Sequence, residues 1–177
     1  MIGKKMEAAI NEQINAELYS AYLYASMASY FASKGLKGFA NWMKIQCGEE
    51  VAHAMRFYGH VLDRGGRVLM KAIKGPETEW ASPLAVFEAV AVHEAKVTAL
   101  INGLVKLARK EEDEAALAAL QWFVTEQIEE EANAADIVQK LKLMGDSPQG
   151  LFMMDAELGA RTPTPGNPAP TVPLPAN

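Results

Sequence analysis

Glu50 and His53 stand three residues apart inside an apolar run that reads as one buried helix face. At about 100° per residue, Phe39, Met43, Gln46, Glu50, His53, Phe57 and Val61 fall in a single narrow stripe. A glutamate is almost never fully buried unless something pairs with it. At i and i+3 both side chains can reach one point beside the helix, and a carboxylate oxygen with an imidazole nitrogen suits a divalent transition metal. Alone, such a tetrad is weak, because most are exposed charge beside a satisfied histidine. Three further stripes strengthen it. Glu17 lies mid-way along Ile10, Ile14, Leu18, Ala21, Tyr24, Ala25 and Ala28. Glu94 is central to Phe87, Val90, Ala91, Thr98, Ile101 and Val105. Gln127 and Glu130 interrupt Leu120, Phe123, Val124, Ala134, Val138 and Leu141. Carboxylates gathered this closely raise one another's pKa or take up protons. Bound cations remove that penalty, so the cluster reads as a metal site.

The elements that must position these groups are four long helices. Residues 5–33 hold helical periodicity without Gly or Pro. Lys34-Gly35-Leu36-Lys37-Gly38 breaks it, and a second helix runs back over 38–64 to Gly65-Gly66. Both helices are about 27 residues, or about 40 Å, long. From Gly66 to Ser82 no period is sustained. A connection of that length needs a reason, and one reason is a crossover that returns the chain along the bundle. Ser82-Pro83 then reads as an N-cap with Pro at the first helical position. Helix three ends near Arg109, Lys110-Glu111-Glu112-Asp113-Glu114 is a charged turn, and helix four ends at Met144-Gly145. Ser147-Pro148 opens a short fifth helix to Leu158, whose stripe of Leu151, Met154 and Leu158 requires a packing partner, such as another subunit. The expected fold is all-α: a four-helix bundle with a long crossover between helices two and three, plus a short fifth helix. Residues 1–161 form the expected domain, and 162–177, with six of the nine prolines, an extended tail.

Composition narrows the function. A length of 177 residues suits one domain with a sizeable core. A net charge of −5 argues against a nucleic-acid partner. No apolar run is long enough to span a membrane, Met1 to Ala9 lacks the apolar core of a secretory leader, and a cytoplasmic location is expected. The single cysteine, Cys47, excludes an intrachain disulfide and a Cys-x-x-Cys metal ribbon, and it reads as a small core residue.

One glutamate from each of two helices and Glu-x-x-His from the other two is the ligand pattern of di-iron carboxylate bundles. Here one tetrad is intact and the other reads Gln127-Ile128-Glu129-Glu130. With Asn11-Glu12-Gln13, Glu17-Leu18-Tyr19-Ser20, Glu49-Glu50-Val51-Ala52-His53, Gln121-Trp122-Phe123-Val124, Glu126 to Glu131, and Gly150-Leu151-Phe152 with Asp155 to Leu158, the chain resembles a bacterial non-haem ferritin over about residues 3–160.

That resemblance implies the ferritin-like bundle and a ferroxidase centre. Glu17, Glu50 and His53 match its first iron site. Glu50 as a bridge, with Glu94 and Glu130, matches the second, and Gln127 lies beside it. Glu49, Glu126, Glu129 and Glu130 match a third iron site. Tyr24 and Trp122 match aromatic residues thought to supply or relay electrons; for Trp122 core packing is at least as good a reading, and for Glu129 a solvated face competes. His60 and His93 match no ligand position. The resemblance further implies a hollow shell of 24 subunits that oxidises Fe(II) with O2 or H2O2 and stores ferric mineral. Some ferritins carry an acidic pair early in helix four; here Ala115 to Leu120 contains no acid.

Other di-iron bundles fit less well. A rubrerythrin-like peroxidase or oxidase without mineral storage is the alternative, but it would want a second Glu-x-x-His and a cysteine-rich domain. Bacterioferritin would want a haem-ligating methionine where Val51 stands, so no haem is expected. DNA-protecting mini-ferritins need a different ligand spacing. A bundle whose buried carboxylates bind nothing would be costly.

Overall fold

The helix ends follow from local chemistry. The computed structural model describes residues 1–163, which form α1 (Lys4–Ser33), α2 (Lys37–Asp63), α3 (Pro83–Lys110), α4 (Glu114–Met144) and α5 (Pro148–Gly159), with no strand among them. The expected tail from Thr162 falls almost wholly outside the described residues. Gly35 and Gly65 adopt φ of 77° and 69° just past α1 and α2, the left-handed conformation that ends helices without steric cost when no Cβ is present. Ser82, Asp113 and Ser147 cap α3, α4 and α5 by accepting from the backbone N–H groups of Ala85, Ala116 and Gly150.

The crossover between α2 and α3 has no regular structure and is held by polar side chains of α1. Asn11 accepts from Leu69 N at 2.6 Å and donates to Arg67 O at 3.1 Å. Ser26 donates to Glu77 O at 2.6 Å and Tyr30 to Trp80 O at 2.8 Å. α1 thus satisfies carbonyls that no ladder serves, and the chain passes along the bundle so that α3 starts at its far end. α1 packs most extensively on α2, and α3 on α4.

The core divides into two apolar blocks. One gathers Tyr24, Met27, Phe31, Phe39, Met43, Phe87, Val90 and Leu141. The other gathers Met6, Ile10, Ile14, Phe57, Val61, Ile101, Leu104, Leu120 and Phe123. On every long helix the candidate ligands, Glu17, Glu50 with His53, Glu94, and Gln127 with Glu130, lie between the two blocks. The buried faces are broader than the single stripes read from periodicity. Leu23, Trp42, Val97, Leu104 and Ile137 are also buried, while Ala25 is exposed and Thr98, Val105 and Val138 are half-buried. Each helix faces two neighbours, so its buried arc is wider than one stripe.

α5 corrects one expectation. Its stripe needs no second subunit, because Met154 and Leu158 are buried within the chain and α5 packs chiefly on α2. Asp155 Oδ1 accepts from the backbone N–H groups of Gly38 (2.7 Å) and Phe39 (3.1 Å) and so caps the start of α2, whose own N-cap residue, Leu36, offers no side-chain bond. A Cβ at Gly38 would lie 1.6 Å from the Asp155 carbonyl oxygen, so the two backbones meet there. Gly38→Ala should therefore lift α5 off α2 and cost about 1–3 kcal/mol. Thermal denaturation, with hydrogen exchange of the α5 amides, checks it; unchanged α5 protection would contradict the contact.

Candidate metal centre

The polar layer is built by residues from all four long helices. Glu17 from α1 and Glu50 and His53 from α2 are buried, and their ligand atoms lie within 4.8 Å of one another. His53 Nδ1 is 3.6 Å from Glu50 Oε2. His53, Glu126 and Glu130 form a second convergent group within the same limit, the last two supplied by α4. His53 therefore belongs to both, with its Nε2 3.9 Å from Glu126 Oε1.

The remaining polar atoms are held by amides and a phenol. Gln13 donates to Glu17 Oε1 at 2.8 Å, and Gln46 donates to Glu130 Oε2 at 2.8 Å. On α3, Glu94 accepts from the Tyr24 hydroxyl at Oε1 and from Gln127 Nε2, 3.3 Å from Oε2. Gln127 also reaches Thr98 Oγ1 at 3.1 Å. Glu94 joins neither convergent group: its carboxylate is held by two neighbours, and it acts on Glu50 through its charge. Glu17 Oε2 and Glu50 Oε2 are buried with no hydrogen-bond partner. Two orphaned carboxylate oxygens beside a buried imidazole are the donor set a divalent ion takes, so the residues present fit a metal.

The electrostatics agree. Burial pushes the Glu17 and Glu50 carboxyls well above the usual range, and the charges of neighbouring glutamates push further. Glu130 is pushed up to about 8, first by burial and then by Glu94, against the opposing hydrogen bond from Gln46. Glu94 is raised by burial, which the Tyr24 and Gln127 hydrogen bonds oppose. Burial also raises the half-buried Glu126.

Not every residue singled out from sequence joins the two groups. Glu49 is buried but pairs with Arg161 at 2.7 Å. Glu129 is exposed. Trp122 is half-buried, with its ring edge-on to His53 at 5.3 Å and the Arg56 guanidinium 4.1 Å above it. His93 lies outside the layer, 2.8 Å from Ser20 Oγ, and burial lowers its pKa to about 4. His60 sits beside Arg64. Sequence reasoning gave no role to Gln13, Gln46 and Thr98. Gln46 and Thr98 stand in the Glu50 and Glu94 stripes and Gln13 stands four residues before Glu17, so each carries a positional signal; the partners of Gln46 and Thr98 lie on other helices and cannot be read along their own. Arg161 gave no signal at all.

A pH dependence follows. Glu17, Glu50 and Glu130 titrate higher folded than unfolded, so the folded chain binds more protons above the unfolded glutamate value of about 4.3. The stability these groups contribute is fully present below that value and is lost as pH rises through the folded values. Metal-free protein should lose stability between about pH 5 and pH 8, by roughly 1.4 kcal/mol per pH unit for each extra proton held. A saturating divalent ion should flatten the slope. Urea unfolding at four pH values in chelator checks it, and a rise in stability over that window would refute it.

Comparison with known proteins agrees with this geometry. Residues 7–144 match the Ferritin-like domain family. A bacterial non-heme ferritin of Bacteroides fragilis (strain 638R) is 46% identical over 161 residues, covering 91% of this chain and 100% of that protein. A bacterial non-heme ferritin of Staphylococcus saprophyticus is 38% identical, covering 92% of this chain and 97% of the relative. Among solved structures, an open-pore ferritin from the hyperthermophilic archaeon Archaeoglobus fulgidus superposes with a TM-score of 0.91 at 54% identity, over 92% of this chain and 100% of that one. An engineered closed form of the Archaeoglobus ferritin gives the same TM-score and identity, over 93% and 100%. Matched along most of its length, and with relatives it covers from end to end, the chain belongs to the ferritin family.

Proposed function

We propose that this chain stores iron by oxidising Fe(II) at the buried layer and holding the ferric product as mineral inside a closed shell of 24 copies. The observation that carries the reading is the convergence of Glu17, Glu50 and His53, with one buried oxygen on each glutamate that accepts no hydrogen bond from a protein donor. Glu17, Glu50 and His53 bind one Fe(II), and Glu50 is shared with a second held by Glu94 and Glu130. Two irons side by side can together pass two electrons to O2 or H2O2. The chain's own part is to hold and exchange charge. Protons on Glu17, Glu50 and Glu130 leave as the cations enter, so loading releases acid. The Tyr24 hydroxyl and Gln127 orient Glu94. Glu126 and Glu130 near His53, with Glu49 and Glu129, offer a further, more exposed iron site on the way out.

Shell formation is supported by apolar side chains that the chain leaves in solvent: Phe152 and Met153 on α5, at 76% and 64% exposure, and Leu143. Residues 1–161 act as the single functional domain. No helix among the described residues is long and apolar enough to cross a membrane, consistent with a cytoplasmic role.

The test is to add Fe(II) anaerobically, admit air, and follow ferric absorbance together with particle mass. Glu50→Gln should slow initial oxidation by more than about tenfold. It should also raise the metal-free stability at pH 8 by about 1–2 kcal/mol, because a buried half-paired carboxylate is gone. Wild-type rates in that variant would overturn the reading.

Glu130 and Glu129 separate the two sites. Glu130→Ala should impair both the first oxidation and later turnover, since Glu130 is buried beside His53. Glu129→Ala should alter only iron stoichiometry and later turnover. Stopped-flow oxidation and anaerobic Fe(II) titration distinguish them, and identical behaviour would remove the sharing role of Glu130.

A further inference from the structure

Arg161 lies two residues beyond α5 and reaches the rim of the acidic layer. Its Nη2 donates to Glu49 Oε2 at 2.7 Å. Its guanidinium lies over the buried Trp42 ring, 4.7 Å from the centroid. Its backbone carbonyl accepts from Asn41 Nδ2 at 3.1 Å. The other terminal nitrogen, Nη1, is buried without a hydrogen-bond partner. All three partners belong to α2, and the close backbone contact at Gly38 with the Asp155 cap fixes α5 to that same helix. The guanidinium is therefore delivered by a docked element and does not hang from a free chain end.

Glu49 is electrically part of the cluster even though it pairs with Arg161. Its charge raises the pKa values of Glu50, Glu126 and Glu130. By contrast, among the described residues Glu17 and Glu50 have no lysine or arginine at ion-pair distance.

We infer that Arg161 is an internal counter-cation that competes with metal for Glu49, so that an ion binds the outer acidic site only by displacing it. The inference rests on the reading above of Glu49, Glu126, Glu129 and Glu130 as that site. A charge-assisted hydrogen bond to Glu49 must be broken or weakened when a cation arrives. A guanidinium held within a few ångströms of a divalent ion also repels it. Both effects lower affinity most at the outer site, where the guanidinium is in direct contact with a ligand, and far less at the inner pair. The inner groups fill first, and an outer ion stays exchangeable because a tethered cation waits to take back the carboxylate. Arg161 is a positioning residue in this scheme and does not itself touch the metal.

The experiment is calorimetric titration of the full, metal-free chain with Zn(II), which binds without redox chemistry. The Glu49-dependent step is the one lost in Glu49→Gln. Arg161→Gln keeps side-chain length and a donor for seating α5 but removes the charge, and it should tighten that step by about tenfold or more. Arg161→Lys should stay near wild type, because it keeps the charge. In the Glu49→Gln background Arg161→Gln should shift the remaining steps by far less than it shifts the Glu49-dependent step. An unchanged or weaker Glu49-dependent step in Arg161→Gln overturns the inference, as does an equally large tightening of the steps that survive Glu49→Gln. A wild-type titration with no Glu49-dependent step overturns both the inference and the outer-site reading beneath it.

Discussion

Buried negative charge without enough partners is the constraint on which the rest of the structure depends. Glu17, Glu50, Glu94 and Glu130 converge between two apolar blocks, and two of their oxygens have no hydrogen bond. Without a cation this arrangement survives only by binding protons, and each such group reduces the stability of the metal-free fold at neutral pH. The blocks on either side offset that cost. Stacked Phe57 and Phe123 rings, 3.8 Å apart, close the layer on one side, and Phe31, Phe39 and Phe87 pack together on the other. The helices are long because they must bury enough surface above and below the layer to hold it.

The amide and phenol partners explain how the layer stays ordered. Gln13, Gln46 and Gln127 each donate to one glutamate, and donors that carry no charge can fix a carboxylate without neutralising it. A lysine in the same places would hold the oxygens equally well and exclude a metal. This is the physical difference between a bundle that binds a cation and one merely satisfied internally. At its rim the layer changes character: Glu49 meets an arginine and Glu129 meets solvent. Among the described residues the centre has no lysine or arginine at ion-pair distance, whereas the rim has Arg161.

α5 and the crossover are position-setting devices of different kinds. The crossover is held by side chains of α1, which satisfy its carbonyls one at a time. α5 is held by backbone contact at Gly38 and by the cap from Asp155. The first fixes the direction of α3 and so brings Glu94 to the level of the polar layer, where its charge acts on Glu50. The second fixes where the chain leaves the bundle and so brings Arg161 to Glu49.

Periodicity alone determined the number of helices, their ends to within a residue, and the depth at which Glu17, Glu50, His53, Glu94, Gln127 and Glu130 sit. Those features are local: a 3.6-residue repeat places each polar group on its helix, and Gly, Pro, Ser and Asp mark the turns. Family resemblance added the grouping of these residues into metal sites. Tertiary structure decided the rest, because it depends on which faces meet. Tyr24 with Glu94 and Gln46 with Glu130 are partnerships set by helix packing. The stripe of α5 called for a packing partner, another subunit among the candidates, and that partner is α2, since a 12-residue helix does not disclose which surface will cover it. Arg161 and Glu49 are 112 residues apart in sequence, and no repeat or motif links them. Only the docking of α5 on α2 puts that charge beside the acidic layer.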